Sequence, residues 1–564
     1  MASGEAAHGR GRYLEPAGGE RAIAHDPAYG RRMRWIAALT FALAGCAATA
    51  ASPPTPAPTP PPTPRLVVLV VIDQWPSWGV AERRAHYRAG LARLLDGGVH
   101  FARAQYPFAI TFTSPGHAAL GTGASPRVTG VVANTWFRRG DGVERAAEHD
   151  PASPVLGLGG ERLPIDGASG AILAVDGLAE ALRAGTGGRG RSVAIAGKAR
   201  AACFVAGRRP DVALWYEPAA GGFTSSLAYG GPPTWAAALA PRVAGHLDAV
   251  WTIDDPATIA AATGGVDDGP GETEPRFPHP VASLGEPAKA LRLTPFLDTL
   301  TVDAALAAIA GEGLGADDVP DLLALSFSAH DYVGHQWGQE SWEMFDLERR
   351  LDRELGRLLD ALDRQVGVGR YAVVMTSDHG ATRMPDRTGG ARIAPAAIEA
   401  AAEAAAATVL GPGDWVAAVS SAMIYGSPTW AAAAPAARDA ALAAMARAVE
   451  AVPGVHAVVP MATTTCAGQD DMVARVCETT VPGQTGELLV WPEDGGLVTS
   501  YAKGTSHDAP SDDDRTVPVV VVGPGLAPRT VAAPVSALAV AATVAALLGV
   551  APPDGAAPAL PLAP

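Results

Sequence analysis

Four separate segments of the 564-residue chain carry hard metal ligands: Asp73 in VVIDQ, Asp331 and His335 in AHDYVGHQWG, Asp378 and His379 in TSDHGAT, and His507 in KGTSHDAP. Carboxylate oxygen and imidazole nitrogen are donors that zinc takes in tetrahedral sites. A lone histidine caps a helix or fills a core as readily as it binds metal, but this many carboxylates and imidazoles together point to a shared metal centre. Asp331 and His335 are four apart, so both side chains fall on one turn of a helix. Adjacent Asp378 and His379 can reach two metals, or two sides of one. His330 and Asp508 adjoin proposed ligands and could take their places.

A second signal is TFTSPGHAALGTG, from Thr111 to Gly123. Pro115 suits the first turn of a helix, which puts Thr113 and Ser114 at its N-terminus, where backbone N–H groups and the helix dipole favour a phosphate. A metal-coordinated hydroxyl there becomes an alkoxide nucleophile at neutral pH. The same pattern also serves as an ordinary helix cap.

These residues need strands to hold them. Leu66–Ile72 before Asp73, Val193–Ala196 before Lys198, Leu322–Ser326 before Asp331, Tyr371–Thr376 before Asp378, and Val517–Val522 are short apolar runs, each read as a buried parallel strand. Such runs suit a sheet covered on both faces. Leu347, Leu351, Leu355, Leu358 and Leu362 repeat at helical spacing between two of the runs, so strand, helix and strand follow one another. That order implies an open α/β sheet whose ligands collect at the carboxyl ends of its strands. Residues about 140–190, 205–315 and 381–500 break the pattern and are expected to form insertions, a cap or satellite subdomain. The last includes a helical Trp430–Val452 and a strand over Gly486–Trp491. Ser536–Ala551 is apolar but reads as a packed terminal helix.

Taken in order, Asp73, TSPGH, AGKAR at Ala196–Arg200, Asp331–His335, Asp378–His379 and GTSH at Gly504–His507 resemble the alkaline phosphatase superfamily. Within it the likeness is to PafA-type alkaline phosphatases and runs from about Arg65 to Pro553. The resemblance implies a mostly parallel sheet sandwiched by helices, with inserted subdomains. It also implies two zinc ions, one held by Asp73, Asp378 and His379 with Thr113, the other by Asp331, His335 and His507. Thr113 would be the nucleophile of a phosphate monoesterase working through a phosphothreonine. Asn134 in NTWF, Lys198 and Arg200 would bind the transferring phosphoryl group.

The Lys-x-Arg pair is the mark of a monoesterase, because a dianionic phosphate offers a third charged oxygen for two extra cations. A type I phosphodiesterase or nucleotide pyrophosphatase on the same fold is the first rival, and a catalytically silent binding lipoprotein the second. Sulfatases fit less well, since TSPGH lacks the arginine of their motif. Gln74, Trp75 and Pro76 after Asp73 depart from the pattern and leave leaving-group preference open.

Composition narrows the partners. The net charge is −15, with 43 Lys+Arg against 58 Asp+Glu, which excludes a protein whose affinity rests on neutralising nucleic-acid phosphates. The expected partners are small phosphate monoesters, and the expected state is a monomer. Lys198, Lys289 and Lys503 are the only lysines. In so arginine-rich a chain, a lysine marks a candidate position where the planar guanidinium will not serve.

Arg31, Arg32 and Arg34 precede an apolar run, Trp35–Gly45, that ends in LAGC, Leu43–Cys46. This resembles a bacterial lipoprotein signal over residues 1–45, too short for a span. Met33 is a second candidate start. Cys46 would carry the lipid of an exported protein held at the periplasmic or cell-surface side of a membrane, with Ala47 compatible with outer-membrane sorting. Residues 46–64 include a Pro/Thr tract read as a semi-rigid tether. The catalytic domain is expected over 65–553, and 554–564 as a tail. Cys466 and Cys477 are close enough for a local disulfide, leaving Cys203 free.

Overall fold

The computed structural model describes residues 63–563 except 274–275, 462–465, 467–470 and 508. The signal region, Cys46, most of the tether and Asp508 therefore lie outside the described residues.

The central sheet consists of β1 (Leu66–Ile72), β2 (Val99–Gln105), β3 (Val155–Leu156), β4 (Ser192–Ala196), β5 (Val212–Glu217), β6 (Gly222–Ser226), β7 (Asp321–Phe327), β8 (Tyr371–Thr376), β9 (Thr516–Val522), β10 (Arg529–Val531) and β11 (Val535–Ser536). Their order is β10-β2-β9-β8-β1-β7-β4-β5-β6-β3, with β11 beside β2. Strands β8, β1, β7, β4 and β5 are mutually parallel. All seven residues of β1 are buried, as an apolar strand covered on both faces must be. Each Val or Leu so buried contributes roughly 1.5–3 kcal/mol.

The Trp342–Leu362 helix starts at Ser341, whose hydroxyl accepts from the Met344 N–H at 3.1 Å, and it buries Leu347, Leu351, Leu355, Leu358 and Leu362. The apolar C-terminal run forms the buried Ala539–Leu548 helix. Among the described residues no single helix is long and apolar enough to cross a membrane.

Three expectations need correction. Strand β9 runs antiparallel to β8. The loop carrying His507 sits at the carboxyl ends of the parallel strands, so the chain leaving it can enter the sheet only in the reverse direction. Segment 205–315 is not all cap: β5 and β6 extend the central sheet, and the Phe296–Glu312 helix packs beside β7 and β4. Trp430–Val452 is two helices, Pro428–Ala432 and Pro435–Glu450, because Ala434 before Pro435 is held extended at ψ 137°.

Within 381–500, the strands Val416–Ser420, Met423–Gly426, Leu488–Pro492 and Val455–Pro460 form a separate antiparallel sheet in that spatial order. The Pro395–Leu410 and Pro435–Glu450 helices pack on it. Cys466 and Cys477 are disulfide-bonded and Cys203 is free and buried.

Candidate active site

Register assembles the site. Val71 pairs with Ser326 and Thr376, and Ser326 with Ala196. Asp73, the Ala329–Trp337 helix, Asp378 and Lys198 therefore leave the sheet at one level. The Thr113–Thr122 helix lies against them because position 116 is glycine: a Cβ there would collide with the Asp378 carbonyl.

Two triads result. Asp73, Asp378 and His379 form one, and Asp331, His335 and His507 the other; in each, one ligand atom per residue lies within 4.8 Å of the others. Every histidine ties its Nδ1 to a backbone carbonyl: His335 to Thr505 at 2.8 Å, His379 to Gly380 at 2.9 Å and His507 to Thr111 at 2.7 Å. A proton on Nδ1 leaves the Nε2 lone pair for the site, the tautomer a metal needs.

Asp73 Oδ1 and His379 Nε2 are buried without a hydrogen-bond partner. Unpaired buried polar atoms are costly, and a divalent cation would satisfy both. The donor set, carboxylates and imidazoles in groups of three, fits zinc.

Lys198 stands between the triads. Its Nζ is 2.7 Å from Asp73 Oδ2, 2.5 Å from Asp331 Oδ2 and 3.4 Å from Thr113 Oγ1. Thr113 is buried at the first turn of its helix. The Ser114 N–H donates to Asn134 Oδ1 at 2.7 Å, which leaves the Asn134 amide N–H groups free to donate. Arg200 is less closely held; Glu148, at 3.9 Å, is its one carboxylate partner within 4 Å among the described residues.

The charges are mutually arranged. Burial, aided by Asp378, raises the Asp73 carboxyl. Burial would also raise Asp331 and Asp378, but His335 and Lys198 hold the first, and His379 and His117 the second, well below the usual carboxylate range. Burial drives His379 down to about 3. Lys198 keeps its charge against burial because Asp331 and Asp73 flank it.

Three supports escaped the sequence reading. Gln74, in the left-handed region at φ 64°, donates its backbone N–H to Asp378 Oδ1 at 3.2 Å and its side-chain amide to Asp331 Oδ1 at 3.1 Å. Gln339 donates in turn to Gln74 Oε1 at 2.9 Å, and Gly334 leaves room for that amide, since a Cβ there would strike it. His117, one turn below Thr113, places Nδ1 2.9 Å from the Thr113 carbonyl and 3.0 Å from Asp378 Oδ2. His330 spends both nitrogens away from the triads, on the Asp73 carbonyl at 3.1 Å and Glu348 at 3.0 Å. Glu348 is gripped by both arms of Arg83 at 2.7 Å. Only the positive φ of Gln74 and contacts distant in sequence reveal these roles.

Residues 67–512 match the family described as type I phosphodiesterase / nucleotide pyrophosphatase. Alkaline phosphatase PhoV of Synechococcus elongatus is 30% identical over 334 residues, 57% of this chain and 60% of its own. Alkaline phosphatase PhoK of a Sphingomonas species is 32% identical over 337 residues, 57% and 56% of the two chains. The alignments thus span about three fifths of these relatives. The crystal structure of alkaline phosphatase PafA superposes with a TM-score of 0.79 at 24% identity, covering 88% of this chain and 98% of that one. A variant of that enzyme with a threonine, an asparagine, a lysine and an arginine replaced has the same TM-score, at 23% identity and the same coverage of both chains.

Proposed function

The chain belongs to the type I phosphodiesterase / nucleotide pyrophosphatase family, within the alkaline phosphatase superfamily that its motifs resemble, and from that membership we propose that it is a zinc-dependent phosphate monoesterase acting through a phosphothreonine. The observation that carries the reading is the Lys198 ammonium, buried between the two triads and 3.4 Å from Thr113 Oγ1. A phosphoryl group attacked by Thr113 would lie beside it. A dianionic monoester has a third charged oxygen to meet that cation; a monoanionic diester does not.

Asp73, Asp378 and His379, with Thr113, would hold one zinc, and Asp331, His335 and His507 the other. The two ions would supply Lewis-acid stabilisation of the phosphoryl oxygens and lower the pKa of the attacking hydroxyl.

Thr113 Oγ1, having lost its proton, forms a bond to phosphorus as the bond to the ester oxygen breaks, and the alcohol leaves with a proton. Water then cleaves the phosphothreonine, returning the proton to Thr113 and releasing phosphate with net retention at phosphorus. Lys198 and the free amide of Asn134 hold the transferring oxygens, while Arg200, placed by Glu148, adds charge from the flank. This is positioning and charge stabilisation, the main contribution a protein makes to phosphoryl transfer. The residue types replaced in the PafA variant, in order, are those of Thr113, Asn134, Lys198 and Arg200.

The family's own description favours one second reading, a diesterase or pyrophosphatase. Catalytic efficiency on an aryl phosphate monoester and on the matching diester separates the two. A monoester preference supports the proposal; a diester preference overturns it, and inactivity on both leaves the silent binding lipoprotein.

We further propose an exported monomer anchored by lipid at Cys46. The Cys466–Cys477 disulfide supports an oxidising compartment. Cys46→Ser should release the protein into the soluble fraction; continued membrane association would sink the anchor.

A further inference from the structure

Beside the triads lies a cavity of about 380 Å³ whose walls include Tyr332, His335, Arg392, Tyr501 and Lys503. It opens on the second triad, because His335 belongs to both. Tyr332 also joins it to the phosphoryl site, with the Lys198 ammonium 5.0 Å and the Arg292 guanidinium 5.1 Å from its ring centroid.

Among the described residues no aspartate or glutamate lines this cavity, in a chain of net charge −15. Arg392 is neutralised by Asp386 and donates to the Gly504 carbonyl at 2.7 Å. Lys503 differs: its Nζ donates to the Glu272 backbone carbonyl at 3.0 Å, and among the described residues no carboxylate lies within 4 Å of it. An ammonium has three donors, so two remain. The loop that carries Lys503 is fixed by the Thr505 carbonyl on His335 Nδ1 and by the Thr505 N–H on the His335 carbonyl at 3.1 Å. This lysine, one of three in the chain, is thus held four residues before His507 and two before Thr505, the residue that ties His335, with no described carboxylate beside it.

Resting on the monoesterase reading, we propose that this cavity receives the alcohol half of the ester and that Lys503 selects alcohols bearing an anionic group of their own, a carboxylate or a second phosphate. The volume suits a leaving group of sugar or hydroxy-acid size. The hydroxyls of Thr499 and Ser506 on its walls would take the hydroxyls of such an alcohol.

Glycerol 2-phosphate and 2-phosphoglycerate test this, because they share a skeleton and differ by one carboxylate. Equilibrium binding of each is measured at low salt on the zinc-loaded full chain carrying Thr113→Ala, which prevents turnover, with and without Lys503→Met. Turnover of both esters by the unsubstituted protein is followed in parallel.

The carboxylate ester should bind about fivefold tighter, the effect of one partly screened ion pair. Lys503→Met should bring the ratio to about one, and Lys503→Glu should reverse it. Equal affinities, or a preference that survives Lys503→Met, overturn the inference. A Lys503-dependent preference in binding without turnover of either ester would instead leave the pocket assigned and sink the monoesterase reading. Where a carboxylate is preferred, repeating the comparison with a bisphosphate of the same carbon length tells which anion the pocket favours.

Discussion

The imidazoles of His379 and His507 are stacked, with ring centroids 3.6 Å apart and planes 22° from parallel, although each belongs to a different triad. Both Nδ1 atoms are tied to backbone carbonyls, so both Nε2 atoms serve the same small volume. Two imidazolium rings in such contact would repel each other. The neutral imidazole is the form that binds metal.

The stacking predicts coupled metal sites. Metal analysis of the native chain should find two zinc ions, removable by chelator together with activity. His379→Ala should remove one and weaken the other, since His507 loses the surface that orients it. The double variant with His507→Ala should then cost less binding energy than the two single variants added. Strict additivity would show the triads to be independent.

Thr113→Ala should abolish covalent phosphate incorporation, trapped by acid quench, and lower kcat/KM by at least about a thousandfold. Zinc content and thermal stability should hardly change, because the threonine methyl and hydroxyl are small parts of a helix fixed by Gly116 packing. A variant that still incorporates phosphate would exclude Thr113 as the nucleophile.

Lys198→Ala separates substrate classes. Losing one buried charged donor to a phosphoryl oxygen costs about 3 kcal/mol, or about a hundredfold in kcat/KM, and this loss should fall mainly on monoesters. The diester rate should move little. The variant also leaves Asp73 and Asp331 without their shared cation, so its zinc affinity should be measured alongside, and should rise or hold. Equal losses on both esters would assign Lys198 to the metal framework.

Gln74 links the triads through its backbone N–H on Asp378 and its side-chain amide on Asp331. Gln74→Ala removes the amide from Asp331 while keeping the backbone N–H on Asp378. Losing such an outer partner typically weakens metal affinity by about ten- to a hundredfold, so the variant should need higher free zinc for half-maximal activity yet reach a similar kcat when saturated. An unchanged zinc titration would make the amide a packing contact.

The two clusters of carboxylates and imidazoles were legible in the sequence because such residues, grouped after apolar strands, have few other uses. Gln74 was not, since a glutamine amide carries no chemical signature and this one is placed by a left-handed backbone and by Gln339, 265 residues away. Similarly, β1 and β8 could be read as strands from unbroken Val, Leu and Ile runs. The direction of β9 could not, because an apolar strand has the same composition parallel or antiparallel. Strand β5, VALWYE, is not recognisable from sequence, since its aromatics and the surrounding Gly and Pro resemble a loop-rich cap and only its pairing with β4 shows it to be part of the central sheet.

Glu343 offers a test away from the metals. Its side chain is buried, with Oε1 2.8 Å from His279 Nε2 and Oε2 without a partner. Burial pushes its pKa from 4.5 up to about 9, and burial drives His279 down to about 4, so His279 does not supply a cation to meet the charge. A folded-state pKa above the unfolded one makes the stability contribution complete below about pH 4.5 and lost progressively as the pH rises towards 9. Glu343→Gln keeps the neutral shape at every pH. Its melting temperature should match the parent near pH 4.5 and exceed it by a few degrees at pH 9, with the gap widening steadily between. Parallel curves for the two proteins would show that Glu343 ionises in the folded state at its ordinary pKa, and that the His279 contact holds a carboxylate.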